Sequence, residues 1–307
     1  EKRSSATMKT MPGAILRLIL SLRLYVLVLT APYAILWAWA PESGGWLTAT
    51  GHSLLVWFYV LSLDSAFLKA GLDPRLSLLP DRHVAALAPI DVTRTIAGCG
   101  AAIVALLLLL SGELRLAILV AAGGAGILLL VRQALGSGGR RRFVMAEWVW
   151  AGVMLMGPCL LIAAPGWSSV PDAGSLDSRP ESPVPMSAAV IGATGLGALM
   201  LGAWVLLCLR RDEAADRVMR LQSTATLLGR VGTLSMIAAW TLGAVTLAVW
   251  GVSMGWWGWL VAAVVGWASA MVAWLSASGA DRAGALAWAV ASGVVGVALL
   301  RDVSAGL

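Results

Sequence analysis

The stretch RRDEAADRVMRLQSTATLLG, residues 210–229, is a polar island between long apolar segments. Its acidic residues Asp212 and Asp216 are four positions apart, so on a helix their carboxylates project from one side, about one turn from each other. Carboxylates attract hard divalent cations and guanidinium groups bind phosphate, so the pattern indicates a site where a metal meets an anionic ligand. A charged run between apolar segments is also typical of a solvated loop, and this alternative stays open. The surrounding arginines are Arg210, Arg211, Arg217, Arg220 and Arg230.

The composition indicates an integral membrane protein. Of the 307 residues, 59% are hydrophobic and 12% are charged, and the mean hydropathy is +0.85. Runs of about 20 apolar residues cross a bilayer, and the sequence contains several, which excludes a soluble enzyme. The formal charge of +6 does not indicate a nucleic-acid partner, because the basic residues are not gathered on a soluble domain with interleaved aromatic residues. The three cysteines and two histidines lack the spacing of a disulfide framework or a metal site.

The apolar segments predict an all-α polytopic bundle of nine transmembrane helices with a cytoplasmic N-terminus. In this topology the loops after the even-numbered segments are cytoplasmic, and they are 69–92, 132–143, 210–230 and 279–283. The N-terminal residues, these loops and their flanking helix ends hold all 22 Lys and Arg residues except Arg115, Arg179 and Arg301, as the positive-inside rule requires. The nine segments lie at about 17–40, 46–68, 93–112, 114–131, 144–165, 187–209, 231–251, 255–278 and 284–300.

The chain is predicted to form a single transmembrane domain over residues 1–307. Its two halves, about 1–165 and 187–307, are joined by the loop 166–186 on the non-cytoplasmic side. This connector is rich in Pro, Ser and Asp, a composition that does not bury enough apolar surface to fold on its own.

Small residues and tryptophans predict how the helices pack and where they end. The run from Gly192 to Gly202 predicts close helix approach within lipid. Tryptophans near the segment ends predict an interfacial belt, because an amphipathic ring favours the headgroup region. These residues include Trp46, Trp148, Trp150, Trp167, Trp250, Trp256, Trp257 and Trp259.

A second polar loop joins the second and third segments. It carries the acidic residues Asp73 and Asp81 together with Arg75 and Arg82. One acid-and-arginine loop therefore lies in each half, and the predicted topology places both on the cytoplasmic side. The two loops are expected to converge over one central cavity.

Together the two loops resemble the UbiA superfamily of intramembrane prenyltransferases. Asp212-x-x-x-Asp216, followed by QSTATLLG at residues 222–229, is similar to the second aspartate motif of that family. The family has nine transmembrane helices and a first motif, Asn-Asp-x-x-Asp-x-x-x-Asp, which precedes an Arg-Pro-Leu-x-x-Gly element. If Asp73 takes the last aspartate of the first motif, Arg82 follows nine residues later, a spacing that some members show for that arginine.

The same alignment contains departures from the family pattern. Ser65 stands where the family has Asn, and Ala66 and Lys69 stand where it has metal-binding aspartates. Three further positions differ in the neighbouring elements: His83 replaces Pro, Leu87 replaces Gly, and Arg220 occupies the usual glycine of the second motif.

The resemblance implies a site for magnesium ions and an isoprenoid diphosphate. Any metal would be held by Asp73, Asp212 and Asp216, and the diphosphate by Arg82, Arg211 and Arg217. In view of the departures, Lys69 is expected to replace a metal, leaving a metal-free or half-metal site with little or no prenyl transfer. The expected protein binds membrane lipids and an isoprenoid, quinone or pigment tail, without nucleic acid, as a membrane binding protein or complex subunit with other membrane proteins.

Two other functions are compatible with the sequence. The first is an active, magnesium-dependent prenyltransferase that moves an isoprenoid from its diphosphate to an aromatic or tetrapyrrole acceptor, with Asp64 or substrate phosphate completing the metal shell. The second is a transporter, which predicts broken helices with polar residues at the midplane. The charged residues lie at helix ends instead, which disfavours a transporter.

Overall fold

The protein is all-α in the computed structural model, which describes residues 24–39, 45–69, 87–135, 142–143, 148, 151–152, 186–218 and 222–305. These ranges contain eight helices and two short strands. In chain order they are α1 (Leu24–Trp39), α2 (Gly45–Lys69), α3 (Leu87–Leu110), α4 (Leu114–Leu135), β1 (Arg142–Phe143), α5 (Met186–Val218), β2 (Gln222–Ser223), α6 (Thr224–Ser253), α7 (Trp259–Ala277) and α8 (Asp281–Ala305).

Five helices are long and apolar enough to cross a membrane within the described ranges, so the predicted multi-pass character is confirmed. The most buried of the five is α5. The number nine stays a prediction, since the segment 144–165 is described only at Trp148, Ala151 and Gly152. The five spans are Ile90–Leu110, Ala188–Ala214, Thr224–Ser253, Trp259–Ala277 and Ala283–Asp302.

Most of the stretch 210–230 is helical, although the sequence predicted a cytoplasmic loop. Helix α5 continues past the apolar segment to Val218, and α6 already begins at Thr224. The prediction located segment ends by apolar content alone, whereas charged residues also propagate a helix when they pair one turn apart, as Arg217 and Glu213 do. Asp212 and Asp216 therefore lie on the same rigid helix as the membrane span.

The two halves of the bundle meet through α1 and through the two strands. In the first half, helices α1, α3 and α4 pack against α2. In the second half, each of the helices α5 to α8 packs against the next one along the chain, and α8 also packs against α5. Helix α1 contacts both α5 and α8 of the other half. Strands β1 and β2 pair in parallel, with Arg142 opposite Gln222 and Phe143 opposite Ser223.

These connections define one end of the bundle, which we call the motif end. Strand β1 follows α4 and contacts it, and β2 follows α5, so the strand pair joins the ends of those two helices. The start of α3 lies at the same end, because α3 and α4 are packed together and joined by a turn at 111–113. The predicted loops 132–143 and 210–230 thus share one end, as expected, while the side of the membrane stays a prediction.

Aromatic rings of neighbouring helices pack directly against glycines of α5. A Cβ atom added to Gly197 would lie 2.6 Å from the ring of Tyr33, and one added to Gly202 would lie 2.1 Å from the ring of Trp240. The sequence predicted close approach in this run, and the approaching groups are rings seated on the helix backbone.

The tryptophan belt stays a prediction at most positions and is wrong at Trp257. Trp46, Trp148, Trp250 and Trp259 are exposed at the periphery. Trp257, only 4% exposed, is a core residue that donates from Nε1 to the carbonyl oxygen of Ala248 at 2.9 Å. Its burial has a local cause, because the missing side chain of Gly251 leaves space for the indole.

Candidate functional site

The last turns of α5 carry one half of the candidate site. Asp212 and Asp216 are both buried, as their spacing of one helical turn predicts for a face turned to the interior. Arg211 grips Asp212 with a guanidinium fork, Nε to Oδ1 at 3.1 Å and Nη2 to Oδ2 at 3.4 Å. We call Arg211, Asp212 and Asp216 the second half-site.

Arg210 has a different role from its neighbour Arg211. Its buried side chain donates from Nη2 to the carbonyl oxygen of Ser276 at 3.0 Å and lies 3.3 Å from Oδ1 of Asp281. These partners belong to the end of α7 and the start of α8. Arg210 therefore fastens the motif end of α5 to the α7–α8 turn.

Arg217 lies on the exposed side of α5. It pairs with Glu213 one turn earlier, Nη2 to Oε1 at 2.6 Å, and its side chain is 61% exposed, whereas Asp216 beside it is 2% exposed. The guanidinium is thus engaged with a helix-surface carboxylate, and its predicted contact with a diphosphate stays a prediction.

The tail of the motif shapes the entry of α6. Ser223 and Thr226 form a reciprocal cap, in which the backbone N–H of Ser223 donates to Oγ1 of Thr226 at 2.9 Å and the N–H of Thr226 donates to Oγ of Ser223 at 3.4 Å. At Gly229 the backbone leaves the helix, with φ 66° and ψ −175°, a conformation open essentially to glycine. The residues that resemble the family motif best are therefore architectural.

A polar cluster joins α2 and α3 at the same end of the bundle. Ser65, fully buried, donates to Oδ1 of Asp91 at 2.5 Å. Arg94 donates from Nη1 to Oγ of Ser65 at 3.3 Å, and its Nη2 lies 3.5 Å from Oδ1 of Asp91. We call Ser65, Asp91 and Arg94 the first half-site, because Ser65 aligns with the opening residue of the first motif.

Sequence reasoning missed Asp91 and Arg94. An available signal was the pairing of opposite charges three residues apart at the start of an apolar segment, where a charge is costly in lipid. The segment was placed at 93–112, so Asp91 fell into the preceding loop. The structure begins α3 at Leu87 and brings Asp91 to Ser65, 26 residues away in the sequence.

Three predicted site residues lie where the structure does not test them. Asp73 and Arg82 fall in 70–86, outside the described residues. Lys69 is the last residue of α2, and only its backbone is described. Their roles stay predictions.

The described side chains supply two of the three carboxylates predicted to hold a metal, Asp212 and Asp216, and the third, Asp73, lies outside the described residues. The portion of the chain that the structure describes contains no group of three or more His, Cys, Asp or Glu side chains that could hold a metal. Both carboxylate oxygens of Asp212 face the Arg211 fork, although a hard cation requires such oxygens as ligands. In the first half-site a guanidinium lies against the serine of the motif.

The fold itself is that of a known protein. The sequence matches no protein-family model and no curated protein sequence. Among solved structures, it matches the apo structure of a UbiA homolog from Aeropyrum pernix K1 with a TM-score of 0.57. The match covers 93% of this chain and 97% of the homolog at 18% sequence identity, a level at which the likeness concerns the fold. The chain is an integral, multi-pass membrane protein with the UbiA-type fold.

Proposed function

We propose that this protein is a UbiA-like prenyltransferase-fold protein that has lost most or all catalysis. It keeps a cavity for an isoprenoid, quinone or pigment lipid and acts as a membrane binding protein or as a subunit of a membrane complex. In this proposal nine transmembrane helices surround the cavity and the motif end faces the cytoplasm. The fold match over 93% of the chain supports a retained lipid cavity.

One observation carries the loss of catalysis. The first half-site holds a hydrogen-bonded cluster of Ser65, Asp91 and Arg94 at the opening position of a motif that otherwise supplies metal ligands. Prenyl transfer from a diphosphate needs strong stabilisation of the departing anion, which metal ions provide as Lewis acids. Ala66 and Lys69 supply no carboxylate at the two aspartate positions that follow. With these losses, bound ligand is retained and not converted.

The test is turnover by the purified protein in lipid nanodiscs. Farnesyl, geranylgeranyl and phytyl diphosphates are each supplied with magnesium and an aromatic or tetrapyrrole acceptor, and released diphosphate is measured. The expected result is no release above a protein-free control. Native mass spectrometry of the same preparation is expected to detect a retained isoprenoid, quinone or pigment lipid.

A second candidate function is the active magnesium-dependent prenyltransferase. It is favoured by Asp212 and Asp216, which both persist on the buried face of α5. Turnover by the unaltered protein that disappears in the double variant Asp212→Asn, Asp216→Asn would establish this enzyme and overturn the proposed loss of catalysis. Asp302→Asn, at the opposite end of the bundle, is the matched control and should leave any turnover unchanged.

A further inference from the structure

The contact between α5 and the α7–α8 turn brings residues of three helices to one point. Arg210 of α5 donates from Nη2 to the carbonyl oxygen of Ser276 at 3.0 Å, and the same Nη2 lies 3.3 Å from Oδ1 of Asp281. Ser276 lies in the last turn of α7, and Asp281 is the first residue of α8. Arg210 and Ser276 are both buried. The three residues therefore surround a single nitrogen atom in the interior.

Each of these residues has a buried polar atom that no hydrogen bond uses. The atoms are Nη1 of Arg210, Oγ of Ser276 and Oδ1 of Asp281, and none of them has a hydrogen-bonding partner among the described residues. The 3.3 Å contact of Asp281 is an ion pair, so Oδ1 keeps its capacity to accept a hydrogen. A buried polar atom without a partner is costly. Three such atoms around one point indicate a ligand that they share.

The hydroxyl of Ser276 differs from other hydroxyls on the same helices. Ser269, two turns earlier in α7, donates to the carbonyl oxygen of Val265 at 2.8 Å, and Ser292 of α8 donates to that of Trp288 at 2.8 Å. A bond to the carbonyl four residues back is open to a serine inside a helix. The hydroxyl of Ser276 does not make this bond, so it is available to a group outside its own helix.

We propose that one water molecule is bound between Arg210, Ser276 and Asp281. The water accepts hydrogen bonds from Nη1 of Arg210 and from the hydroxyl of Ser276, and it donates one to Oδ1 of Asp281. Three hydrogen bonds are the usual number for a buried water. Two residues along a helix differ by about 200° in direction, so this site lies on another side of α5 from Asp212 and is independent of the proposed function.

The charges at this point select a neutral ligand. A cation would meet the guanidinium of Arg210, which is always protonated, and an anion would meet the carboxylate of Asp281. The ligand must also accept and donate, because a guanidinium offers only donors and a carboxylate only acceptors. Water satisfies both conditions and is small enough to lie among buried side chains.

The bound water gives α5 a second connection to the α7–α8 turn. Both contacts that Arg210 makes within the described part of the chain use the same nitrogen, Nη2. The water adds a connection through Nη1 that reaches α7 and α8 together. Asp212 follows Arg210 by two residues on the same helix, so the water helps to fix the helix end that carries the candidate site.

The first test uses the sign of a stability change. Ser276→Ala removes one partner of the water, so the melting temperature of the full-length protein in nanodiscs should fall about 2–4 °C below that of Ser269→Ala. Without a bound water, the same change would remove a buried hydroxyl that has no partner and should raise the melting temperature. Ser269→Ala is the matched control, because it makes the same change in the same helix where the hydroxyl bonds within that helix.

The second test locates the water in the unaltered protein. A crystal structure at a resolution that shows ordered waters should contain one density peak within hydrogen-bonding distance of Nη1 of Arg210, Oγ of Ser276 and Oδ1 of Asp281. Side chains that bond one another with no peak between them would overturn the inference, and so would a melting temperature of Ser276→Ala at or above that of Ser269→Ala. A peak too large for water would overturn the assignment to water.

Discussion

At the scale of single residues, two kinds of contact fix the second half of the bundle. Glycines of α5 allow rings to rest on the helix backbone, which places Tyr33 and Trp240 closer than any side chain would permit. Arg210 then ties the polar end of the same helix to the α7–α8 turn. Steric fit sets the distance between helices, and the buried ion pair sets their alignment at the motif end.

Gly202→Ala should destabilise the protein. The new methyl group would meet the Trp240 ring at 2.1 Å, so either the ring or the helix must move, at a cost of about 3 kcal/mol for overpacking. Gly195→Ala in the same helix meets its nearest atom at an ordinary 3.4 Å and should be neutral or slightly stabilising. Thermal unfolding in detergent compares the two, and equal melting temperatures would contradict the seated-ring packing.

Arg210→Leu should cost about 3 kcal/mol, because it leaves Asp281 without its buried counter-ion and the Ser276 carbonyl without its buried donor. Asp281 is partly exposed, which keeps the cost at the low end for a broken buried pair. Arg217→Leu removes an exposed pair on the same helix and should change stability by less than about 0.5 kcal/mol. Limited proteolysis and melting temperature are the readouts. Similar effects of the two changes would show that Arg210 does not hold the end of α5 against the α7–α8 turn.

Some of these residues could be predicted from the sequence. Asp212 and Asp216 were expected on one helix face because a spacing of four is nearly one turn, and both are buried. Asp91 and Arg94 were not expected, because a hydrogen bond across 26 residues depends on how α2 and α3 pack. Local periodicity carries no information on such pairs.

At the scale of elements, the entry of α6 is a break between two helical pieces. Thr224 to Leu228 form a first turn, capped by Ser223, and the axis changes at Gly229 before the long membrane helix continues. Thr233 donates from Oγ1 to the carbonyl oxygen of Gly229 at 2.8 Å, which satisfies one group at the break. The break lets the chain cross from the strand pair into the membrane span.

Gly229→Ala tests this break by conformation alone. No atom lies within 4 Å of the added Cβ, so any loss comes from the backbone angles and should be about 1–3 kcal/mol. Gly266→Ala in α7 also meets open space and lies within a regular helix, where alanine is favoured by up to about 1 kcal/mol. Opposite shifts in melting temperature are expected, and shifts of the same sign would refute the assigned geometry.

Element boundaries followed from hydropathy only where polar residues end a helix. The end of α7 was placed at 278 and lies at Ala277, because the apolar run stops at the polar and glycine residues of 278–282. The end of α5 was placed at 209 and lies at Val218, since paired charges extend the helix beyond the membrane. Charge pairing one turn apart is a signal that a hydropathy window does not contain.

At the scale of the whole molecule, the turns between successive helices lie alternately at the motif end and at the opposite end of the bundle. Ser111 lies in the α3–α4 turn, away from the motif end, and Ser278 lies in the α7–α8 turn, at the motif end. Each serine is exposed and donates to a carbonyl of the helix before it. They form a matched pair for testing orientation.

Single cysteines at these two positions should be labelled from opposite sides of the membrane. In a background with Cys99, Cys159 and Cys208 replaced, an impermeant maleimide should reach Ser111→Cys in intact cells. Ser278→Cys should react only after the membrane is opened, because the positive-inside rule assigns its turn to the cytoplasm. Labelling of both positions in intact cells would contradict the predicted topology.

The pairing of β1 with β2 has a consequence for chain continuity. Together with the contacts of α1 on α5 and α8, it joins the two halves through surfaces that owe nothing to the connector 166–186. Fragments 1–165 and 187–307, made as separate polypeptides in one cell, should therefore assemble and co-purify. The two halves would then behave like the subunits of a heterodimer that are normally joined in one polypeptide.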